Sequence, residues 1–532
     1  MSKFSTISPA AFAPEVVIVG CGPVGALAAN LLGVYGVRTL VLDREPGIID
    51  IPRAVHFDDE VMRVFQAVGL DAEVRAKSIR VPGMDLVTAK GRPLMQMRTA
   101  DVPRDLGHDV TSMFHQPHLE AVLRQGVERF PHVELRCKTE VEAIEPECGF
   151  VRVRCSNGET TYTVEAAYVF GCDGARSMAR KVIGAELDDL GLHQPWLVID
   201  LLMKRDCGLP EVAQQICNPR RPATMVPMPA PRRRWEFMLV DGDDPERIVQ
   251  NDRVQELVKP WVSPADYSIE RSAIYTFHGL IARPWRRGRA FLLGDAAHQM
   301  PPFLGQGMCA GIRDAFNLCW KIERVLRSGA PESLLDTYES ERRPHVALVV
   351  DSAVKIGRII QSRSLVLGAV RNVAFRLSNL FNGRGAVPRS ISTIPLGPGA
   401  FADDVASVRR VPFPQPIVVS SKGEVLLDEV LGSRAAVLAH EHNPQTLMSR
   451  NLAQRAESAG LQFIEISNQG IANGAIVDKT GRLAEWFRAR GADVAIVRPD
   501  RVPFAATRAE APGSADGILK AYLARSSEGV TC

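Results

Sequence analysis

One short turn constrains this chain more than any other feature: Gly20-Cys21-Gly22-Pro23-Val24-Gly25, set between an apolar run and a helical one. Glu15-Val16-Val17-Ile18-Val19 is short and β-branched, the pattern of a strand buried in a parallel sheet. From Pro23 the apolar residues Leu27, Leu31 and Val34 recur with helical spacing, and Val37 to Asp43 reads as a second strand ending in an acid. Strand, helix and strand in this order make a βαβ unit, which implies a parallel sheet. In such a GxGxxG turn Gly20 permits the tight bend, Gly22 lets backbone approach a pyrophosphate, and Gly25 lets helix and strand pack closely. The helix N-terminus faces the negative charge, and Asp43, 18 residues past Gly25, is placed to bind the ribose hydroxyls of an adenosine. The turn predicts a dinucleotide but does not separate FAD from NAD.

The run from Val16 to Val37 carries no charge over 22 positions, long enough on paper to span a bilayer. It holds five glycines, a proline and an asparagine, so it reads as strand, turn and buried helix instead. Ala11-Phe12-Ala13 mimics a signal-peptidase site, but no apolar core precedes it, and a soluble, cytoplasmic protein is expected. Lys and Arg number 64 against 61 Asp and Glu, a net charge of +3 that gives no long-range attraction for nucleic acid or an anionic membrane. A length of 532 residues argues for two or three domains. The ten cysteines show no CxxC and no Cys/His ligand spacing, so reduced thiols and no metal site are expected. His115-Gln116-Pro117-His118 lacks the carboxylate or cysteine partners that a metal needs.

From about residue 150 the apolar period changes to two, at Phe150 to Cys155 and Thr161 to Glu165, with a turn at Asn157-Gly158. Strand-like pieces follow at Trp196 to Met203 and Trp235 to Val240, which suggests a second, antiparallel domain inserted into the first. The buried-strand pattern returns at Arg289 to Asp295, followed by a helix from Met308 to Arg327. Beyond about 410 a further α/β pattern predicts strands at Ile417 to Val419, Ala435 to Leu438, Leu461 to Ile466, Ala475 to Val477 and Asp493 to Val497. Helices are expected at 444–459 and Leu483 to Arg490.

Two later motifs favour FAD. Gly171-Cys172-Asp173-Gly174-Ala175-Arg176-Ser177 follows one strand-like run, and Gly294-Asp295-Ala296-Ala297-His298 ends another. A carboxylate at a strand's C-terminal end can accept a hydrogen bond from a sugar-alcohol hydroxyl, which FAD has in its ribityl chain and NAD lacks. Gly305 and Gly307 open the helix at Met308, whose N–H groups and positive end would face a flavin's N1–C2=O edge. Taken alone, either motif reads better as a left-handed turn with a capping Asp. Three such motifs in this order favour the cofactor.

With these residues the chain resembles the FAD-dependent aromatic hydroxylases of the p-hydroxybenzoate hydroxylase fold. Within them it is most similar to the bacterial enzymes that hydroxylate 3-(3-hydroxyphenyl)propionate. That likeness rests on Ile51-Pro52-Arg53-Ala54, Asp58-Asp59-Glu60, Arg233 to Met238, Gly305-Gln306-Gly307, Arg313 to Leu318, Leu335 to Tyr338, Glu341-Arg342-Arg343 and Arg498-Pro499-Asp500-Arg501. It implies an α/β fold: a Rossmann-like FAD-binding domain (14–180 and 286–398, the latter with a helical bridge), an inserted antiparallel-sheet substrate domain (181–285), and a thioredoxin-like C-terminal domain (399–525). No cysteine occurs between Cys319 and Cys532, so that last domain runs no dithiol chemistry. The resemblance implies that FAD is held by Gly20, Gly22, Gly25, Asp43, Arg53, Gln116, Asp173, Gly174, Gly294, Asp295, Pro302, Gly305, Gln306, Gly307 and Met308. Arg53 and Gln116 are assigned to the pyrophosphate or ribityl chain by likeness alone; from the residues, Arg53 reads equally as a surface cation and Gln116 as a helix cap. Asp43 stands where the family more often has Glu, and Phe303-Leu304 where the nearest relatives have Trp-Gln.

The implied reaction is hydroxylation of a phenolic acid through a flavin C4a-hydroperoxide, converting 3-(3-hydroxyphenyl)propionate to its 2,3-dihydroxy product with NADH (or NADPH) and O₂. The nicotinamide is a transient visitor with Asp173 near its route, the partners are the small phenol and O₂, and a homodimer is left open. The alternatives are the same chemistry on a resorcinol- or polyketide-type phenol, and a non-catalytic flavin-binding scaffold. A base that deprotonates the phenol raises ring nucleophilicity, and His56 and Asp58 are the candidates. Asp58 and Asp59 also suit a helix N-terminus. Arg233 or Arg234, beside Trp235, is either a partner for a substrate carboxylate or a solvated strand end.

Overall fold

A computed structural model of the chain describes residues 13–49, 53–99, 102–382, 391–402, 408–467, 470 and 474–527. Ile51 and Pro52, part of the likeness above, lie outside them. The first sheet has six strands in the order Arg286–Arg287, Ala290–Leu292, Tyr168–Gly171, Val16–Val19, Thr39–Leu42, Val133–Arg136. All neighbours are parallel except the edge pair 286–287 and 290–292. Val16 to Val19 and Thr39 to Leu42 are buried throughout, as β-branched runs without alternation must be when both faces are covered. The uncharged run at 16–37 is thus strand, turn and the 12-residue helix Pro23–Val34, and no described helix is long and apolar enough to cross a membrane.

An eight-stranded sheet stands beside it, in the order His298–Gln299, Tyr267–Arg283, Glu186–Met203, Arg232–Met238, Ala223–Pro227, Ala213–Ile216, Gly83–Val87, Pro93–Arg98. Two expectations change here. The strands at 151–156 and 161–166 do not join this sheet. They pair around the Asn157 turn, and with Glu140–Pro146 they form a separate three-stranded sheet. Conversely, the sheet reaches outside 181–285: Gly83–Val87 pairs in parallel with Ala213–Ile216, and Pro93–Arg98 extends it.

The C-terminal unit is a thioredoxin-like four-stranded mixed sheet, Gln462–Ile466, Ala436–His440, Val494–Val497, Pro503–Thr507. The expected strand at 475–477 contributes only isolated bridges, Val477 to Val419 and Ile476 to Ile466. The expected helix at 444–459 divides into a 3-10 turn capped by Asn443 and the helix Arg450–Ser458, because Met448 and Ser449 adopt extended backbone between them.

Two buried ionic clusters fasten this unit to the first. Arg63 donates to both oxygens of Asp428 at 2.7 Å and to the Phe413 carbonyl at 2.6 Å. Glu341 accepts from Arg498 at 2.8 Å and Asn317 at 2.7 Å, and pairs with Lys321 at 3.0 Å. Burial works to raise the Glu341 carboxyl, but the Arg498 and Lys321 cations outweigh it and hold it at about 2, while burial brings Lys321 down to about 8. Removing one partner from such a cluster strands a buried charge, which costs about 3–5 kcal/mol.

Candidate active site

Four parallel strands end at one edge of the first sheet, since Val19 is in register with Leu42 and Gly171, and Gly171 with Leu292. The three glycine motifs therefore meet at that edge, where ligands bind in open α/β sheets. Gly20 has φ +96°, and a Cβ there would sit 2.5 Å from the Cys172 carbonyl; a Cβ at Gly25 would strike the Gly20 carbonyl. At Gly22 a Cβ would meet nothing within 4 Å, so backbone there borders open space. The third motif is drawn in by the Gly307–Ser328 helix: a Cβ on Gly311 would lie 2.6 Å from Val24 and 2.9 Å from Gly294.

The acids of these motifs behave differently. Asp43 Oδ2 accepts from the Cys21 N–H at 3.2 Å and from Arg124 at 2.8 Å, and Oδ1 from the Glu45 N–H at 3.1 Å. Arg124 was not foreseen; it lies 81 positions from its partner. Asp173 Oδ2 caps the Met178–Val182 helix through the Met178 and Ala179 N–H groups at 2.7 and 3.0 Å, with Gly174 in a left-handed turn at φ +75°. That is the turn-and-cap geometry the sequence also allowed, yet Asp173 Oδ1 is buried without a hydrogen-bond partner. Asp295, half-buried beside Gly294, accepts no hydrogen bond from any described residue. A free carboxylate and an orphaned carboxylate oxygen beside open glycine backbone fit a hydroxyl-bearing dinucleotide, so the residues present suit FAD.

The loop before the last helix is held by a network around Arg313. Arg313 donates to Asp58 Oδ2 and Glu60 at 2.6 Å each and to Gln306 Oε1 at 2.9 Å, and Gln306 Nε2 donates to Asp58 Oδ2 at 3.0 Å. The Gln306 side chain is thus turned into the protein, and its backbone, with Gly307 and Met308, forms the helix start. Pro302 is half-buried in the preceding 3-10 turn, which ends in left-handed Gly305 at φ +64°. A Cβ on Gly305 would lie 2.7 Å from His56 Nδ1.

His56 and Asp58 part company here. Asp58 Oδ1 caps the Asp59–Ala67 helix through the Val61 N–H at 3.1 Å, and Oδ2 is shared by Arg313 and Gln306. Burial favours its neutral form, but the Arg313 charge and hydrogen bond prevail and hold it below the usual carboxylate range. Asp58 is therefore a poor base and the proper reading is the cap; its neighbour Asp59, buried beside two other carboxylates, is pushed up to about 8. His56 Nδ1 lies 3.3 Å from the Gly305 carbonyl. That contact is a hydrogen bond only with the proton on Nδ1, which leaves Nε2 as a free lone pair. Burial lowers the pKa of His56 and keeps the ring neutral.

Gln116 is held by protein groups on both ends of its amide. Its Oε1 accepts from the Arg53 and Ala54 N–H groups at 2.9 and 2.8 Å, and its Nε2 donates to Glu120 at 2.7 Å. It shapes the Arg53 loop and leaves the exposed Arg53 side chain to meet any ligand. Arg234 is neither a solvated strand end nor a free carboxylate clamp: it is 1% exposed, holds Asp200 at 2.7 and 3.0 Å, and donates to the Arg53 carbonyl at 3.1 Å. Arg233 donates to the Pro210 carbonyl at 2.7 Å.

Residues 13–353 match the FAD binding domain family, and 411–521 the HcaD C-terminal domain. The chain is 36% identical over 521 residues to a probable NADH-specific resorcinol 4-hydroxylase of Rhodococcus jostii (strain RHA1), covering 96% of this chain and 95% of that one. It is 33% identical over 534 residues to a 3-(3-hydroxy-phenyl)propionate/3-hydroxycinnamic acid hydroxylase of Burkholderia cenocepacia (strain HI2424), covering 97% of each. The fold is that of the flavin-dependent monooxygenase PieE in complex with FAD and substrate, with TM-score 0.83, 21% identity, and coverage of 97% of this chain and 99% of PieE. Glycine turns gathered at one sheet edge, acids beside them with free oxygens, and full-length likeness to phenol-oxidising relatives agree: this chain belongs to the FAD-dependent aromatic monooxygenases.

Proposed function

We propose that the chain is a single-component monooxygenase that uses NADH and O₂ to hydroxylate a meta-substituted phenol next to its hydroxyl group. The named substrates of the two relatives, resorcinol and 3-(3-hydroxyphenyl)propionate, are both phenols of this kind. In the balanced reaction NADH supplies two electrons, one oxygen atom replaces a ring hydrogen as hydroxyl, and the other leaves as water. Bound FAD supplies the oxidising chemistry; the protein supplies orientation, dryness and control of protons.

The observation that carries this reading is His56 packed against Gly305, in the loop that opens the Gly307–Ser328 helix. Gly20, Gly22 and Gly25 would receive the pyrophosphate, Asp43 the adenosine ribose, Asp295 the ribityl hydroxyls, and the helix start at Gly307 and Met308 the polar edge of the ring system. His56 Nε2 would then accept the phenolic proton, with the Gly305 carbonyl fixing its tautomer. Deprotonation makes the ring electron-rich at the carbons ortho and para to oxygen. The test is NADH consumption, O₂ uptake and product analysis with a panel of phenols. Substrate-accelerated NADH loss with a dihydroxylated or trihydroxylated product supports the reading, and FAD-loaded protein that oxidises NADH at one slow rate whatever the phenol refutes it.

A further inference from the structure

We infer that Glu236 selects the phenol: it accepts a hydroxyl of a neutral, polyhydroxylated ring and disfavours rings that carry a carboxylate. The inference rests on the phenol-hydroxylase reading above and specifies its substrate class.

On the strand Arg232–Met238, Trp235 and Phe237 point into an apolar layer against Trp261, at ring distances of 6.5 and 6.1 Å. Strand alternation turns Arg234, Glu236 and Met238 to the opposite face. That face looks at the two loops of the flavin site. At one end Arg234 bonds the Arg53 carbonyl; at the other Trp196, in register with Met238, meets the Phe303 ring at 6.1 Å. Glu236 stands between these contacts, opposite Val198. It is 8% exposed, lies 3.8 Å from Arg234, and accepts no hydrogen bond from any described residue. Trp196 is 1% exposed, and its indole N–H is buried without an acceptor. The Glu236 oxygens are not sealed off, so a ligand hydroxyl can replace water as their donor.

Charge on the same face decides which ligand. Arg234 and Arg271 both donate to Asp200, the latter at 2.9 Å, so with Glu236 the cluster holds two cations and two anions. Among the described residues both arginines of this face are already shared with Asp200, so an incoming carboxylate would compete for them and would also meet the Glu236 charge. A second hydroxyl suits the site better: one ring oxygen donates to Glu236 and another accepts from Trp196 Nε1. Burial raises the pKa of Glu236, which agrees with a carboxyl short of hydrogen-bond donors.

The experiment compares kcat/KM for resorcinol and for 3-(3-hydroxyphenyl)propionate in the full-length, FAD-loaded enzyme and in Glu236→Gln and Glu236→Asp. The wild type is expected to favour resorcinol by about tenfold or more, and Glu236→Gln to reduce that ratio by about tenfold, with Glu236→Asp between. FAD content and melting temperature report whether each variant is folded. Wild-type preference for the carboxylated phenol overturns the inference, and so does a Gln variant that changes both substrates by one factor. Titration of the flavin absorbance with the same two phenols reads the preference without turnover. Equal affinities there overturn the Glu236 assignment, whereas binding selectivity without any hydroxylation counts against the hydroxylase reading alone.

Discussion

Arg313 Nη1 donates across 2.9 Å to Oε1 of Gln306, seven positions earlier, and so pins the side chain of the residue that opens the last flavin-site helix. The same guanidinium holds Asp58 and Glu60 at 2.6 Å, which ties the loop to the capped start of the Asp59–Ala67 helix. One planar cation therefore sets the geometry of two site segments more than 240 residues apart. Arg313→Ala strands the buried Asp58 carboxylate and the half-buried Glu60, and a loss of about 3 kcal/mol or more is expected. Arg313→Lys keeps the charge but cannot serve three partners from a planar fork, so it should fall between. Melting temperature and FAD retained after gel filtration check both; full FAD retention in Arg313→Ala would show that the loop holds its shape without it.

His56 and Asp58, equal candidates in the sequence, should separate in the laboratory. His56→Ala is expected to retain FAD while slowing hydroxylation by about 10²-fold or more, the usual scale for loss of a positioned base. Asp58→Ala is expected to lose FAD and stability together, since it removes both a helix cap and an Arg313 partner. Because burial depresses the His56 pKa below its ordinary 6.5, the base form persists at neutral pH. Hydroxylation should thus be flat above pH 6.5 and fall only as pH drops through a lower value. A rise in rate on acidification would contradict the assignment.

His108 predicts an acid-sensitive joint. Its Nε2 lies 2.9 Å from Gln66 Oε1, and Gln66 Nε2 donates to Glu429 of the C-terminal unit at 2.6 Å. Burial, then the Arg75 cation, pushes His108 down to about 4. The unfolded chain therefore binds the proton first, and stability present above pH 6.5 is lost as pH falls toward 4, by about 3 kcal/mol over that window. Denaturation midpoints from pH 7 to 4 should flatten in His108→Gln; an unchanged pH slope would assign the effect elsewhere.

Much of this joint was not legible in the sequence. The GxGxxG strand and helix were, because their signal lies within about 30 consecutive residues of sharply patterned sequence. The long strand Glu186–Met203 was read only from Trp196 onward, since Asp188, Asp189, Gly191 and Pro195 break its alternation and a register shift falls between Asp189 and His193. Nothing local marks Gly83–Val87 as a partner of Ala213–Ile216. Arg63 with Asp428, and Glu341 with Arg498, lie 365 and 157 positions apart, where spacing carries no information. Asp58 was ambiguous for a different reason: capping acid and catalytic acid look identical until the third partner, Arg313, is seen.

The Arg498 cluster should behave as a fastener. Arg498→Ala leaves Glu341 and Asp500 with Lys321 as the nearby cation, so the C-terminal unit is expected to loosen at a cost of about 3–5 kcal/mol. Limited proteolysis should then release the C-terminal unit faster than in the wild type. Equal cutting rates would show that the Arg63–Asp428 pair suffices.

The central claim is that the strand ends and the Gly307 helix start enclose one flavin, with Asp295 on its hydroxyl chain. FAD stoichiometry of purified wild type and Asp295→Ala tests it most directly. The expected result is a yellow wild type with close to one FAD per chain and a variant that binds it at least about tenfold more weakly, the scale of lost hydrogen bonds to a charged acceptor. A colourless wild type that does not take up added FAD, or an Asp295→Ala variant that binds it equally well, would contradict the account.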